Sequence, residues 1–94
     1  MEEREYIIYL YEYYGKLLTK KQQTYFEDYY YDNLTMEEIA ENDFVSKNAV
    51  SKQLISIKSK LLNYEEILNL YSNKKNIEEI LKDTKEFDEV IKYI

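Results

Sequence analysis

The 94-residue sequence contains no cysteine, no histidine and no proline, and its only glycine is Gly15. Without cysteine the chain has no disulfides and no thiolate chemistry, which is neutral to weakly favourable for a cytosolic setting. Without proline, and with one glycine, little can break a helix or form a glycine-dependent hairpin turn. Because Leu, Ile, Glu and Lys are abundant, the composition predicts an all-α fold of one domain, with or without a helical tail.

Long apolar runs and a basic leader are also missing. No apolar stretch approaches the roughly 20 residues of a membrane span. The first five residues are acidic overall and lack the basic region of a signal peptide. We therefore expect a soluble cytoplasmic protein with no membrane partner. A chain this short buries a modest share of its surface, so oligomerisation would help it.

The same absences argue against catalysis. No histidine or cysteine is available as a base or nucleophile, and one glycine cannot build a phosphate-cradling loop. The carboxylate pairs are adjacent in sequence, so on a helix their side chains diverge by about 100° instead of sharing a site. We expect no enzyme activity, no cofactor and no metal. The pairs, interpreted as solvated, are Glu37-Glu38, Glu65-Glu66 and Glu78-Glu79.

Periodicity and capping pairs predict the first two helices. Apolar positions recur at helical spacing over residues 3–18, with a loosening near Gly15. Thr19 with Gln22 forms a capping-box pair, which predicts a second helix from Lys20 to Tyr30 or Tyr31. Many of the 12 tyrosines share this helical spacing and are expected to pack in the core rather than to stack on bases.

A third helix, a turn and a fourth helix follow. Thr35 with Glu38 repeats the capping box and predicts a short helix over residues 36–41. Residues 42–45 form the turn, and Ser46 is the expected cap of the fourth helix. This order of elements is typical of a helix-turn-helix, whose second helix enters the major groove. Ala40 would let the helices cross closely, and their shared core would consist of Ile39, Val45, Val50 and Leu54.

Beyond Val50 the apolar residues follow steps of four and three, which predicts one continuous helix to Tyr71 with a heptad seam; the alternative is a break at Asn63. We predict a homodimer through this seam; the alternative is that the seam docks onto the chain's own first helices. The seam consists of Leu54, Ile57, Leu61, Tyr64, Leu68 and Tyr71.

The C-terminal part is expected to be an extension. Residues 73–76 form a polar link, and Asn76 with Glu79 is a third capping pair, which predicts a last helix up to Ile94. The predicted organisation is a helix-turn-helix domain over residues 1–72 and a packing or dimerisation helix over 73–94.

Charge singles out the fourth helix. Residues 46–62 contain four lysines and no acid, although the chain has 19 acidic residues and a net charge of −6. This distribution predicts a nucleic-acid surface; the alternative is a solvated face. Asn48 could read adenine, and a lysine could read guanine or meet phosphate. The expected groove-facing residues are Lys47, Asn48, Ser51 and Lys52, with Ile55 beside them, and the expected phosphate contacts are Ser46, Thr35, Lys20 and Lys21.

The sequence resembles the last region of bacterial sigma factors and, more closely, the YlxM family of small bacterial helix-turn-helix proteins. The resemblance implies an all-helical, DNA-binding regulator that is able to dimerise and is linked by gene neighbourhood to the signal recognition particle pathway. The matching segments are residues 17–22, 29–41, 45–50 and 62–70, within a span of about 5–72.

Three departures from the family pattern affect the expected interface. Lys20 replaces a proline, so the second helix starts on its cap alone. Phe44 occupies a turn position that often prefers φ > 0, where a bulky side chain is disfavoured, so we expect a shifted or remodelled turn. Lys47 replaces an arginine and loses bidentate guanine recognition.

Two other interpretations stay open. One is a protein- or RNA-interaction module that binds a component of the signal recognition particle without sequence-specific DNA binding, which the acidic net charge and the altered turn favour. The other is a helical dimer with no nucleic-acid contact, whose lysines would be freely replaceable.

Overall fold

The computed structural model describes residues 2–93, and within this range every regular element is a helix. The all-α prediction is confirmed. No helix in this range is long and apolar enough to cross a membrane. The helices are α1 (Glu3–Tyr14), α2 (Lys20–Phe26), α3 (Met36–Asp43), α4 (Lys47–Leu68), α5 (Leu70–Leu81) and α6 (Phe87–Ile91).

Two irregular turns extend the first helices. A 3₁₀ turn over Gly15–Leu17 follows α1, at the place where the sequence predicted that the helix loosens. A π-helical segment over Glu27–Tyr31 continues α2. The Thr19 capping box is present, with the hydroxyl accepting from the backbone N–H of Gln22 at 3.1 Å. The sequence therefore predicts the start of the second helix correctly, and the whole segment to Tyr31 is helical.

The core lies where α1, α2 and α3 pack against the long helix α4. The predicted core residues Ile39, Val50 and Leu54 are buried, but the prediction for Val45 was wrong because its side chain is 37% exposed. Val45 lies outside both helices, just before the Ser46 cap, and is not among the partly buried apolar residues that pack against the core. The largest fully buried side chains are Tyr14, Phe26, Ile7, Leu10, Ile39, Ile57, Leu61 and Val50.

The turn between α3 and α4 is shorter than the predicted 42–45, because α3 continues two residues beyond its predicted end at residue 41. The α3 helix ends at Asp43, and Phe44 adopts the left-handed conformation (φ 57°, ψ 40°). We expected a shifted or remodelled turn because a bulky residue disfavours φ > 0, but Phe44 itself adopts this conformation. The Phe44 side chain is 96% exposed, so no core packing offsets this strain.

The predicted continuous helix to Tyr71 was also wrong. Asn69 adopts the left-handed conformation (φ 54°, ψ 29°), which ends α4 and turns the chain into α5. Asparagine tolerates this conformation better than most residues. The predicted polar link over 73–76 lies inside α5, so Asn76 does not begin a helix. The last predicted helix ends at Leu81, with α6 after a break, and Ile94 lies outside the described residues.

A buried carboxylate holds the α4–α5 corner together. Glu65, interpreted from sequence as solvated, is only 4% exposed. Its oxygens accept hydrogen bonds from the Tyr14 hydroxyl at 2.6 Å, the Ser72 hydroxyl at 2.7 Å, and the backbone N–H groups of Tyr71 and Ser72. Glu65 therefore caps the first turn of α5 from within the core.

Most of the heptad seam packs inside the chain. Leu54, Ile57 and Leu61 are at most 6% exposed, and Tyr64 and Tyr71 pack partly buried against the same core. Leu68 is the exposed member at 47%. The four-and-three spacing of these apolar residues is therefore explained mostly by packing onto the chain's own helices, which was the alternative stated above. The homodimer stays a prediction.

Candidate nucleic-acid interface

The first two turns of α4 present the predicted groove-facing residues to solvent. Lys47, Asn48 and Lys52 are exposed, and Ser51 is half-buried. Ile55 continues the same surface and is 63% exposed. Because Val50 and Leu54 face the core, the outward set is fixed by the periodicity of the helix.

Ser46 and Thr35 act as helix caps. The Ser46 hydroxyl accepts from the N–H of Ala49, and the Thr35 hydroxyl accepts from the N–H of Glu38, each at 3.1 Å. The Glu38 carboxylate in turn accepts from the Thr35 N–H at 3.0 Å, which completes the predicted capping box. At the start of α4, the N–H groups of Lys47 and Asn48 precede the capped one and can meet an external acceptor.

Two of the predicted DNA-contacting lysines form ion pairs with α3. The Lys47 ammonium lies 2.8 Å from the Glu37 carboxylate, and the Lys21 ammonium lies 3.2 Å from Asp43. All four side chains are at least one-third exposed, so such pairs contribute little to stability. Within the described residues, Lys20 and Lys52 form no ion pair. Sequence spacing did not indicate these pairings.

Asp43 also ties the end of α3 to α2. The Tyr25 hydroxyl donates a hydrogen bond to the Asp43 carboxylate. This bond and the one from Lys21 hold the pKa of the Asp43 carboxyl below its ordinary value. Burial, together with the hydrogen bond to Asp43, raises the pKa of Tyr25 to about 12. The contact therefore joins a neutral phenol to a carboxylate at neutral pH and fixes the approach to the turn.

The other lysines of α4 lie on its two flanks. Lys58 forms an ion pair with Glu3 near the start of α1. Lys60 donates a hydrogen bond to the Gln22 side chain at 3.4 Å, near the beginning of α2. The basic residues of α4 thus do not form one stripe, and only its N-terminal turns combine the predicted base-reading residues.

Sequence reasoning missed Arg4, the only arginine in the chain. Its Nη2 atom donates hydrogen bonds to the Tyr30 carbonyl at 3.0 Å and the Asn33 side chain at 3.1 Å. Its guanidinium carbon lies 4.9 Å from the centroid of the Tyr30 ring. These contacts hold Arg4 over the end of the π-helical segment, and its rarity was the one signal in the sequence.

Arg4 and Lys47 line the same open hollow, which has a volume of about 370 Å³. The remaining walls come from Tyr29 in the π-helical segment, from the connecting residues 33–35 and from the first two residues of α3, Met36 and Glu37. The α1 helix thus places a cation beside the helix-turn-helix. Arg4 is far in sequence from α3 and α4, so no local motif predicts this placement.

The capped helix α3, the left-handed turn at Phe44 and the exposed first turns of α4 define a helix-turn-helix protein of the all-α class. The sequence model of the UPF0122 family, described as "Putative helix-turn-helix protein, YlxM / p13 like", matches residues 1–93. The chain belongs to this family, and the resemblance to the YlxM family is confirmed.

Bacterial relatives support this assignment over most of the chain. A UPF0122 protein of Clostridium kluyveri is 41% identical over 87 residues, which cover 93% of this chain and 78% of the relative. A second, from Clostridium acetobutylicum, is 42% identical over 86 residues, 92% of this chain and 74% of the relative. A third, from Fusobacterium nucleatum, is 40% identical over 77 residues, which cover 82% of this chain and 75% of the relative.

Proposed function

We propose that this protein binds DNA through the first two turns of α4 and acts as a transcription-linked regulator. The observation that carries the proposal is the set of exposed Lys47, Asn48 and Lys52 and half-buried Ser51, presented on a helix segment that has no acidic residue from Ser46 to Leu62. In a chain with a net charge of −6, such a segment is where a polyanion meets the least repulsion.

Each residue has a distinct role in this proposal. Asn48 is suited to adenine, since an amide can both donate to N7 and accept from N6. Lys52 reaches guanine or phosphate, and Ser51 supplies a hydroxyl to either. The backbone phosphates are met by the helix start at Ser46 and Thr35 and by Lys20 and Lys21 at the start of α2.

The ion pairs and the net charge determine the affinity for DNA that we expect. Because Lys21 and Lys47 are paired with acids, few phosphates can be neutralised without first breaking these pairs. We expect non-specific affinity of about micromolar to sub-millimolar in physiological salt. A homodimer would raise the affinity by joining two weak contacts.

Fluorescence anisotropy with a short labelled duplex, measured across a salt series, tests the proposal. Lys52→Ala should weaken binding several-fold and lower the salt slope by about 0.9, since one phosphate or base contact is lost. Lys85→Ala is the matched control, because Lys85 carries the same charge on the exposed segment between α5 and α6. Equal binding by the two variants, or no binding at low salt, would contradict the proposal.

A second candidate is supported by the acidic net charge and by the pairing of Lys21 and Lys47 with acidic residues. In it, the protein binds a protein or RNA component of the signal recognition particle, and the helix-turn-helix serves as a scaffold. Pull-down with the particle's GTPase and with its RNA distinguishes the two candidates. Capture of either component by a protein that does not bind the duplex would favour the second.

A further inference from the structure

The hollow beside the helix-turn-helix contains two cationic side chains and an anion. Arg4 and Lys47 line it, and the carboxylate of Glu37 forms the 2.8 Å contact with the Lys47 ammonium. Glu37 is the second residue of α3, where the positive end of the helix dipole favours negative charge. The hollow therefore already accommodates an oxyanion, supplied by the chain itself.

Arg4 has capacity left for a ligand. Its hydrogen bonds to Tyr29, Tyr30 and Asn33 all leave from Nη2. The Nη1 and Nε donors are not used in these bonds, and a guanidinium offers five N–H groups in total. Because the guanidinium of Arg4 is already held over the Tyr30 ring, binding a ligand costs this side chain little additional conformational entropy.

The Lys47–Glu37 pair is easily opened. Both side chains are about 60% exposed, at 59% and 63%. The hydrogen bond from Lys47 lowers the pKa of Glu37, so the carboxylate is charged at neutral pH and competes with any other anion for the ammonium. Exposed pairs of this kind are weak, so a phosphate brought in by other contacts can displace Glu37.

We propose that this hollow is a phosphate site, in which Arg4, Lys47 and the start of α3 bind one backbone phosphodiester and Glu37 occupies the site when DNA is absent. The inference rests on the proposed function for its natural ligand, and it adds Arg4 as a binding residue and Glu37 as an intramolecular competitor. Glu37 then reduces binding to any duplex, independently of base sequence.

The test compares Glu37→Gln with Glu41→Gln in the duplex anisotropy assay. Both changes remove one negative charge from an exposed position of α3, but Glu41 does not line the hollow. Glu37→Gln should tighten binding about threefold to tenfold and steepen the salt slope by about 0.9, because it frees Lys47 for one more phosphate. Adding Arg4→Gln to Glu37→Gln should reverse the gain, with thermal melts confirming that each variant is folded.

The outcomes separate this inference from the proposed function. If Glu37→Gln and Glu41→Gln behave alike while Lys52→Ala still weakens binding, the phosphate site is wrong and DNA binding stands. If no variant binds DNA, an NMR titration of the Glu37→Gln variant with inorganic phosphate tests the phosphate site by itself. Amide and guanidinium shifts confined to Arg4, Lys47 and the start of α3 support the site, and their absence overturns it.

Discussion

Phe44 combines a strained backbone with a side chain in solvent. A left-handed conformation costs a non-glycine residue roughly 1–2 kcal/mol, and the ring, at 96% exposed, gains little from packing. Phe44→Gly should therefore raise the free energy of unfolding by about 1 kcal/mol, with a small offset from the more flexible unfolded chain. Urea denaturation of the purified protein measures this.

Phe44→Ala is the control for this prediction. It removes the ring but keeps the Cβ that makes the left-handed conformation unfavourable, so its stability should stay close to that of the wild type. A glycine variant no more stable than the alanine variant would contradict the account of the turn.

At the residue scale, the sequence predicts exposure better than pairing. Helical period places Lys47, Asn48 and Lys52 outside correctly, because Val50 and Leu54 on the same helix are strongly apolar. The contacts of Arg4 with residues about 25 positions later follow from the packing of α1 against the end of the π-helical segment. No local pattern encodes that packing, so the contacts of Arg4 could not be predicted from sequence, and only its being the single arginine marked it.

The corner between α4 and α5 depends on the charge of Glu65. Burial alone would raise the pKa of this carboxyl, but the hydrogen bonds from Tyr14, Ser72 and the α5 backbone outweigh it and lower the pKa below its ordinary value. A carboxyl with a depressed pKa in the folded state stabilises the fold above its unfolded pKa, about 4.3. This stabilisation is lost as the pH falls through the folded pKa.

Glu65→Gln should lower the free energy of unfolding at pH 7 by about 1–3 kcal/mol, because the amide cannot accept the same set of buried hydrogen bonds. It should also flatten the loss of stability at acid pH. Urea midpoints measured at pH 7 and below pH 4 test both, with Glu66→Gln, the exposed neighbour, as control. Equal pH profiles for the two variants would be inconsistent with the capping role.

Element starts are predictable in this chain where a side chain caps the helix locally. Thr19, Thr35 and Ser46 each begin a helix at the predicted residue, since the cap and the N–H that it accepts are three positions apart. The start of α5 has no such signal, because its cap comes from Glu65 inside the core. Asn76, which has the local pattern, lies within a helix that had already begun.

The whole molecule is elongated, with extents of 53 × 24 × 22 Å, and none of the described residues of α5 and α6 is buried. Apolar side chains stay exposed where α4 meets α5, including Leu68 at 47% and Ile67 at 67%. We predict a homodimer that covers this surface. Sedimentation at micromolar concentration should show twice the chain mass, and Leu68→Lys should return it to a monomer.

Ile55→Lys is the control for the dimer, since it introduces the same charge on an exposed apolar position of the proposed groove face. It should leave the mass unchanged. A wild-type chain that sediments only as a monomer would rule out the dimer. The proposed DNA contact would then have to be made by a single α4 helix.

The most direct test of the central claim is an NMR titration of the ¹⁵N-labelled chain with a short duplex at low salt. Binding through the helix-turn-helix predicts that the largest amide shifts fall in residues 46–52 and at the start of α3, and that they diminish as salt is added. Shifts concentrated in α5 and α6, or no shifts at all, would contradict the assignment of α4 as the DNA-binding helix.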